Sequence, residues 1–267
     1  MDYTARYGLA FNPFLKNAKE VIVETGEYQE ARFRLDYLLS TKGFGLLTGS
    51  PGRGKTTVIR NWARGLNPSL YKVIYSSLST LTVMEFYRNL AAQLGMEPSY
   101  RKNDNFRIIQ EAINRLALEK RQTPVIIMDE ANYISPKILN DLKILFNFEM
   151  DSRDRAVVLL SGLPQLNNTL RLAAHEPLRQ RIVMNYDLDG MSKEEGRRYI
   201  QEELRGADCT RTVFEENALE AVLNAANGTP RLINKLCNAS LLVGNSRNLN
   251  FITADAVMQA ISECELA

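Results

Sequence analysis

The stretch that decides the fold is Gly49-Ser50-Pro51-Gly52-Arg53-Gly54-Lys55-Thr56, which fits the pattern G-x-x-x-x-G-K-[ST]. The apolar segment 44–48 precedes it as a strand candidate, and a helical segment follows from Thr57. In such a loop the glycines let backbone N–H groups curl around phosphates, and the helix N-terminus adds its positive end. Lys55 is expected to reach the β- and γ-phosphates of ATP, while the Thr56 hydroxyl is suited to Mg²⁺. We therefore predict that residues 49–57 bind a nucleoside triphosphate.

Short apolar runs alternate with helical patterns around this loop, as in a parallel sheet that is covered on both faces. Four further strand candidates are residues 73–76, 125–128, 157–160 and 182–184. Apolar residues at a period near 3.6 predict helices over 81–94 and 106–118, and Ser135-Pro136 is a favoured start for another. The predicted fold class is therefore α/β, with a five-stranded parallel sheet flanked by helices.

The character of the sequence changes after Tyr186, where the polar turn Asp189-Gly190-Met191-Ser192 begins. Helical patterns alone follow, and Ser192 with Glu195 has the spacing of a capping box. We predict two domains, a nucleotide-binding α/β domain over residues 1–187 and a small all-helical domain over residues 188–267.

Composition and charge narrow the class of protein. Apolar residues make up 45% and charged residues 24%, as in an ordinary globular protein and not in a disordered one. The three cysteines are too few for a disulfide framework or a four-ligand zinc site, so we expect reduced thiols in a cytoplasmic protein. No apolar run of about 18 residues occurs, which predicts no membrane insertion.

The formal net charge of +2 is unevenly spread along the chain. Residues 188–267 contain eight basic and twelve acidic residues, a net charge of −4, which leaves +6 on the first 187. This asymmetry fits a polyanion-binding face on the larger domain, but on charge alone ordinary surface scatter is the favoured explanation.

Two carboxylates, Asp129 and Glu130, directly follow the candidate strand 125–128. At the C-terminal edge of the sheet, beside the phosphate loop, Asp129 would orient hydrated Mg²⁺. Glu130 would polarise an attacking water as general base. The alternative is two surface carboxylates after a strand. Together with the loop, the pair predicts an ATPase that uses ATP and Mg²⁺.

A later segment carries a family resemblance. Residues 228–237, GTPRLINKLC, resemble the lid signature G-x-P-R-x-I-N-x-L-C of ExeA-like AAA+ ATPases. The same order of motifs is found along the chain in Tyr7-Gly8-Leu9, Asn12-Pro13-Phe14, Glu30-Ala31-Arg32 and Gly162-Leu163-Pro164-Gln165-Leu166. The resemblance runs nearly end to end and implies a P-loop AAA+ sheet domain followed by a helical lid.

The resemblance implies roles for further residues. Arg231 matches the lid arginine, sensor 2, which reaches the γ-phosphate. Ser161 lies at the position of sensor 1, where an asparagine that helps to hold the attacking water is common. Arg181, favoured over Arg179, matches the arginine finger presented to the ATP of the next subunit, so a ring or helical homo-oligomer is implied. The alternative is that both arginines form surface salt bridges.

The resemblance leaves two main candidates for the process in which ATP hydrolysis is used. The chain resembles the transposition regulators TnsC, MuB and TniB, which load on duplex DNA and recruit or activate a transposase. It also resembles ExeA itself, a secretion-apparatus ATPase, which continues into a membrane helix and a peptidoglycan-binding region. Because this chain ends at Ala267 without either, we favour the transposition hypothesis. A generic protein-remodelling ATPase is a further alternative.

If the partners are duplex DNA and a transposase, basic side chains of the sheet domain are the expected DNA contacts. They would bind phosphates with little sequence preference. Our candidates are, in order, Arg101 and Lys102 in a loop between two helices, Lys137 and Lys143 on the helix after Asp129, and Arg153 and Arg155 in the loop beyond it.

Overall fold

The structure, a computed structural model, describes residues 3–77 and 80–265. The elements of the first half are α1 (Tyr3–Tyr7), α2 (Gly26–Thr41), β1 (Gly43–Thr48), α3 (Lys55–Gly65), β2 (Tyr71–Ser76), α4 (Val83–Gln93), α5 (Lys102–Asn114) and β3 (Thr123–Met128). Those of the second half are α6 (Pro136–Leu145), β4 (Val157–Gly162), α7 (Gln165–Arg171), α8 (Glu176–Arg179), β5 (Ile182–Asp187), α9 (Lys193–Gly206), α10 (Glu216–Ala226), α11 (Pro230–Ser246) and α12 (Ala254–Glu265).

The described strands form a five-stranded sheet in the order β2-β3-β4-β1-β5, and each neighbouring pair is parallel. This arrangement confirms the predicted fold class. Each strand is longer than its predicted apolar run, and in the two edge strands the added pairs include polar residues such as Lys72 and Asn185. The central strands β3, β4 and β1 are buried on both faces, as continuous apolar runs require.

Alternation along the strands assigns side chains to two faces of the sheet. Ile126 and Met128 of β3 pack in one core with α4, α5 and α6. Ile127 and Asp129 must therefore point to the opposite face, on which α2 lies close to β1. A Cβ atom at Gly45 would lie 2.3 Å from the Leu38 Cδ2 atom of α2, so a larger residue there requires the Leu38 side chain to move.

The chain divides into two compact units, which are Glu30–Pro51 with Lys55–Leu188, and Met1–Gln29 with Gly52–Gly54 and Asp189–Ala267. We call them the sheet unit and the helical unit. The predicted domain 1–187 differs from this division, because the first 29 residues group with the helices. Tyr7, Leu9 and Phe14 supply buried apolar side chains to the helical core, with the Phe14 ring edge-on to Phe214 at 6.5 Å.

Helix boundaries also differ from the predicted ones. The helix predicted over 106–118 begins earlier, as α5 at Lys102. The prediction missed the first turn because its residues are polar and show no apolar period. After Asn114 it continues as a π-helical turn, Arg115–Glu119. The capping box of Ser192 and Glu195 at the start of α9 is confirmed. Among the described residues, no helix has the length and apolar character needed to cross a membrane.

Helix α9 carries a carboxylate into the core of the helical unit. Glu203 is buried, and its Oε2 atom has no hydrogen-bond partner among the described residues. Burial, the dominant cause, raises the pKa of Glu203 to about 7, the charge of Glu20 adds to the rise, and the Tyr199 hydroxyl opposes it. The folded chain therefore favours the neutral carboxyl.

We expect the free energy of unfolding to fall as the pH rises from about 5 to 8. The folded-state pKa of Glu203 exceeds the value of 4.5 for an unperturbed glutamate, so its contribution is complete below that value and is lost as pH rises through about 7. The loss is about 3 kcal/mol. Glu203→Gln should remove most of this slope in urea denaturation, whereas Glu202→Gln, at a half-buried neighbour that pairs with Arg205, should keep it. An unchanged slope in Glu203→Gln would contradict this assignment.

Candidate functional site

The predicted phosphate loop turns through glycines with left-handed backbone. Gly52 and Gly54 have φ angles of 79° and 100°, which side chains rarely adopt. A Cβ atom at Gly49 would lie 2.7 Å from the Leu188 carbonyl oxygen, so the loop passes too close to β5's end for any other residue. The sequence pattern and the backbone therefore require glycine for the same reason, a tight turn with open N–H groups.

Lys55, at the start of α3, extends back over this loop. Its side chain is only 8% exposed, and Nζ donates to the carbonyl oxygens of Gly49 at 2.7 Å and Ser50 at 3.2 Å. A lysine held against a loop of backbone groups is a point charge suited to phosphate oxygens. The described residues therefore fit the triphosphate that the sequence predicts.

The Asp129 carboxylate is the most connected polar group near this loop. It is only 3% exposed, and its Oδ2 atom accepts from the Thr56 hydroxyl at 3.0 Å and from the Tyr75 hydroxyl at 2.9 Å. The backbone N–H of Glu130 donates to Oδ1 at 3.0 Å. The arrangement brings together Thr56 and Asp129, the two oxygen donors predicted for Mg²⁺.

Tyr75 was not predicted as a site residue. Burial, its hydrogen bond to Asp129 and the charges of Asp129 and Glu130 raise the pKa of Tyr75 to about 12, in that order. The phenol therefore stays protonated at neutral pH and donates to the carboxylate. A tyrosine in a strand is ordinarily a packing residue. Tyr75 pairs with Ile127 in the sheet, and Asp129 follows Ile127 by two residues, so only the strand register reveals that the two side chains share a face.

Glu130 is exposed and has a left-handed backbone, with φ 52° and ψ 36°. This conformation costs a non-glycine residue about 1 kcal/mol, and such strain at the end of a buried strand is typical of functional positions. The carboxylate is open to solvent, where a general base must meet its water.

Ser161 lies near the end of β4 on the same face as Asp129, because it follows Leu159 by two residues and β4 pairs with β3. Its hydroxyl is fully buried and has no hydrogen-bond partner among the described residues. An orphaned hydroxyl costs about 1–3 kcal/mol, which fits a group whose partner is supplied by a bound molecule.

Arg231 is the second residue of α11, in the helical unit. Within this unit its backbone N–H donates to the Gly52 carbonyl oxygen at 3.4 Å. The Arg53 guanidinium donates to the carbonyl oxygens of Asn227 and Gly228, at 3.1 Å each. Residues 52–54 thus group with the lid signature found in the sequence.

Comparison with known families agrees with this geometry. The family model described as AAA domain matches residues 37–170, half of the chain, including the phosphate loop and Asp129. The chain belongs to the AAA family. The AAA domain supports ATP hydrolysis at the level of the family.

Three relatives illustrate the range of AAA proteins that this chain resembles. It is 30% identical to general secretion pathway protein A of Aeromonas hydrophila over 268 residues, which cover 98% of this chain and 48% of that protein. The chain thus spans about half the length of this curated relative. Among solved structures, Cdc6p of Pyrobaculum aerophilum matches with a TM-score of 0.72 at 16% identity, covering 94% of this chain and 70% of the other. Drosophila ORC bound to DNA also has a TM-score of 0.72, at 17% identity, covering 97% and 66%.

In the AAA sheet unit, groups of the same chain hold the Arg181 side chain. The Arg181 guanidinium donates to the carbonyl oxygens of Lys143 at 2.9 Å and Phe146 at 3.2 Å, and pairs with Asp154 at 3.3 Å. Its side chain is 14% exposed. Because of these contacts, Arg179 becomes our preferred candidate for the arginine finger. The side chain of Arg179, at the end of α8, is 46% exposed, and its guanidinium lies 4.0 Å from the Glu176 carboxylate.

The basic candidates for DNA contact separate into two groups. Lys102 lies on α5, not in a loop, and its Nζ pairs with Asp141 at 2.6 Å and stands 5.3 Å from the Tyr87 ring centroid. Arg155 bonds Glu149 and Asn114 and is largely buried. The remaining candidates keep at least part of their side chains at the surface: Arg101, Lys137, Lys143 and Arg153.

We expect Tyr75→Phe to lower ATP turnover about three- to tenfold, because the Asp129 carboxylate loses one of its donors. Steady-state phosphate release at saturating ATP measures the loss, and titrating Mg²⁺ should reveal a higher requirement. Tyr37→Phe, an exposed tyrosine on α2, is the matched control and should turn over at the parental rate. Equal turnover in both variants would mean that Tyr75 does not position Asp129.

Proposed function

We propose that this AAA protein hydrolyses Mg-ATP, assembles with copies of itself on duplex DNA in the ATP-bound state, and presents that assembly to a transposase. The DNA step rests on one observation, an exposed basic and aromatic surface at the start of α5 and α6. The ATP step rests on the carboxylate shared by Thr56 and Tyr75.

The residues that would hold Mg-ATP have complementary chemistry. Thr56 and Asp129 offer oxygen ligands for Mg²⁺, and Lys55 offers charge to the β- and γ-phosphates. Magnesium supplies charge neutralisation at the phosphates when it is bound. Glu130 polarises water. Ser161 and Arg231 remain our candidates for holding that water and for contacting the γ-phosphate.

The proposed DNA surface consists of Tyr100, Arg101 and Lys137, and we call it the α5–α6 surface. The Lys102–Asp141 ion pair joins the start of α5 to α6, and Lys137 precedes Asp141 by one helical turn. Tyr100 is 85% exposed beside Arg101. Exposed cations next to an aromatic ring suit a nucleic-acid backbone. Lys143 and Arg153 are secondary candidates.

Assembly explains how such a small surface could bind tightly. ATP that bridges neighbouring subunits favours the oligomer by mass action, and the oligomer sums many weak phosphate contacts. Removal of the γ-phosphate would then release the assembly, so hydrolysis acts as a timer. The similarity in fold to ORC bound to DNA is consistent with this use of the AAA architecture.

We expect the protein to bind duplex DNA at about 50 mM salt with a non-hydrolysable ATP analogue, and without strong sequence preference. Lys55→Ala should lose nucleotide binding and DNA binding together. Glu130→Gln should keep nucleotide binding and DNA binding, and ATP itself should suffice in place of the analogue. It should lose ATP turnover, because an amide cannot act as the general base. Gel-shift assays and phosphate release measure these outcomes.

The α5–α6 surface is tested with Arg101→Ala combined with Lys137→Ala. The double variant should weaken binding to all sequences alike and lower the salt slope by up to about two units per subunit. Lys16→Ala combined with Lys19→Ala removes two exposed lysines of the helical unit and is the control. Absence of DNA binding by the parental protein at micromolar concentration would overturn the DNA proposal and leave the ATPase proposal standing.

We infer that Arg179 acts in trans on the ATP of a neighbouring subunit. Arg179→Ala should reduce turnover by at least about a hundredfold, and mixing it with Lys55→Ala should restore part of the activity at shared interfaces. Arg181→Ala should instead lower stability, because the carbonyl oxygens of Lys143 and Phe146 lose their donor. Parental turnover by Arg179→Ala, with stable assembly, would contradict the role.

The second candidate function is an ATPase of a secretion apparatus. It is favoured by the 30% identity to general secretion pathway protein A, which covers nearly all of this chain. Both candidates share the ATP chemistry and differ in the client. ATP turnover without any DNA binding, in the assays above, would favour the secretion candidate.

A further inference from the structure

A cavity of about 700 Å³ lies in the sheet unit, away from the phosphate loop. It straddles the start of β2, which is an edge strand of the sheet. Apolar side chains, among them Val73 and Leu116, form part of its wall. The cationic side chains Arg64, Lys72, Arg115 and Lys120 also line it, and no acidic residue is among the lining residues that the structure describes.

Three of the cations that line this cavity lie at the surface of the protein. In the described part of the protein, no carboxylate pairs with Lys72, Arg115 or Lys120, and all three are exposed. Arg64 lies in the last turn of α3, where a cation complements the helix dipole, and Lys120 follows the π-helical turn. Lys72 projects from a strand, so no helix end accounts for it. The cluster attracts an anion by long-range charge.

The backbone of β2 is open at Val73, beside this cavity, although the Tyr71 N–H donates to the Asn67 carbonyl oxygen at 3.0 Å. The Thr123 N–H donates to the Leu70 carbonyl oxygen, and the Asp129 N–H donates to that of Ser76, at the two ends of the β2–β3 ladder. In a parallel ladder, every second residue of a strand points its N–H and C=O groups to the same neighbouring strand. Leu70 and Ser76 bond to β3, so Val73, an odd number of residues from both, must point its N–H and C=O away from β3. Within the described residues, no backbone group pairs with them. An edge strand of this kind accepts an additional strand.

We propose that this cavity binds an extended acidic peptide segment of a partner protein, which pairs with the backbone of Val73 and places its carboxylates near Lys72, Arg115 and Lys120. The apolar wall takes the side chains between the carboxylates, because successive residues of a strand point to opposite sides. A free phosphate would use neither the wall nor the strand edge. Duplex DNA presents its phosphates on a convex surface, which does not enter a concave site.

The test uses a fluorescein-labelled eleven-residue peptide of alternating valine and glutamate and the full chain with an ATP analogue. Fluorescence anisotropy should detect binding that weakens with salt. Lys72→Glu combined with Lys120→Glu should weaken it at least about tenfold, because two attractive charges become repulsive. Lys16→Glu combined with Lys19→Glu makes the same change of charge elsewhere and should bind as the parent does. Both double variants should keep parental ATP turnover.

The strand pairing is tested by N-methylating alternate residues of the same peptide, which removes donors and leaves its charge unchanged. We expect binding to be lost for the methylation pattern that blocks the paired edge. Equal binding of both methylated patterns would overturn the strand pairing, and equal binding by the two charge-reversed variants would overturn the site. The proposal would also be overturned if the parental protein did not bind the peptide and the double variant Lys72→Glu with Lys120→Glu lost duplex DNA binding. That result would assign the cavity to nucleic acid.

Discussion

The buried carboxylate of Asp129 is the constraint on which the nucleotide-binding end of the sheet depends. A charged group that is only 3% exposed is costly unless donors surround it, and here Thr56 of α3 and Tyr75 of β2 both donate to one oxygen. These bonds join two neighbouring strands to the helix that follows the phosphate loop. The phosphate loop is therefore held at the C-terminal ends of the strands by these polar contacts and by the close approach of Gly49 to Leu188.

Local sequence was sufficient to predict this end of the sheet, because each element there has its own signal. Apolar runs predicted the strands, the glycine pattern predicted the loop, and Asp129 directly follows a buried strand. Tyr75 gave no such signal, since its role depends on which strand lies beside β3 and on side-chain direction. The packing of Tyr7, Leu9 and Phe14 with the helices likewise depends on contacts about 200 residues apart in sequence, which periodicity does not report.

Charged residues were the hardest to assign from sequence, because their partners decide what they can do. Arg181 and Arg155 looked like free cations, yet carbonyl oxygens and carboxylates of the sheet unit hold them. Lys102 is engaged by Asp141, and its contribution is to fix α5 against α6. Conversely, Lys72 and Arg115 had no motif, and only the fold reveals that they line the same cavity. A basic count over the first 187 residues could not separate these groups.

Strand β2 connects the two ends of the sheet unit that carry chemistry. Val73 lies at the cavity, and Tyr75, two residues later, donates to Asp129, so both side chains point to the same face. The carbonyl oxygen of Tyr75 accepts from the Gln93 side chain at 3.4 Å, and the Tyr71 N–H donates to the Asn67 carbonyl oxygen at 3.0 Å, so the open part of this edge lies between them at Val73. A strand added at Val73 would order the backbone that positions the Tyr75 hydroxyl. The cavity and the Asp129 carboxylate thus both depend on the position of one short segment, residues 73–75 of β2. Binding at the cavity would be coupled to the Asp129 site if the added strand favoured one position of β2.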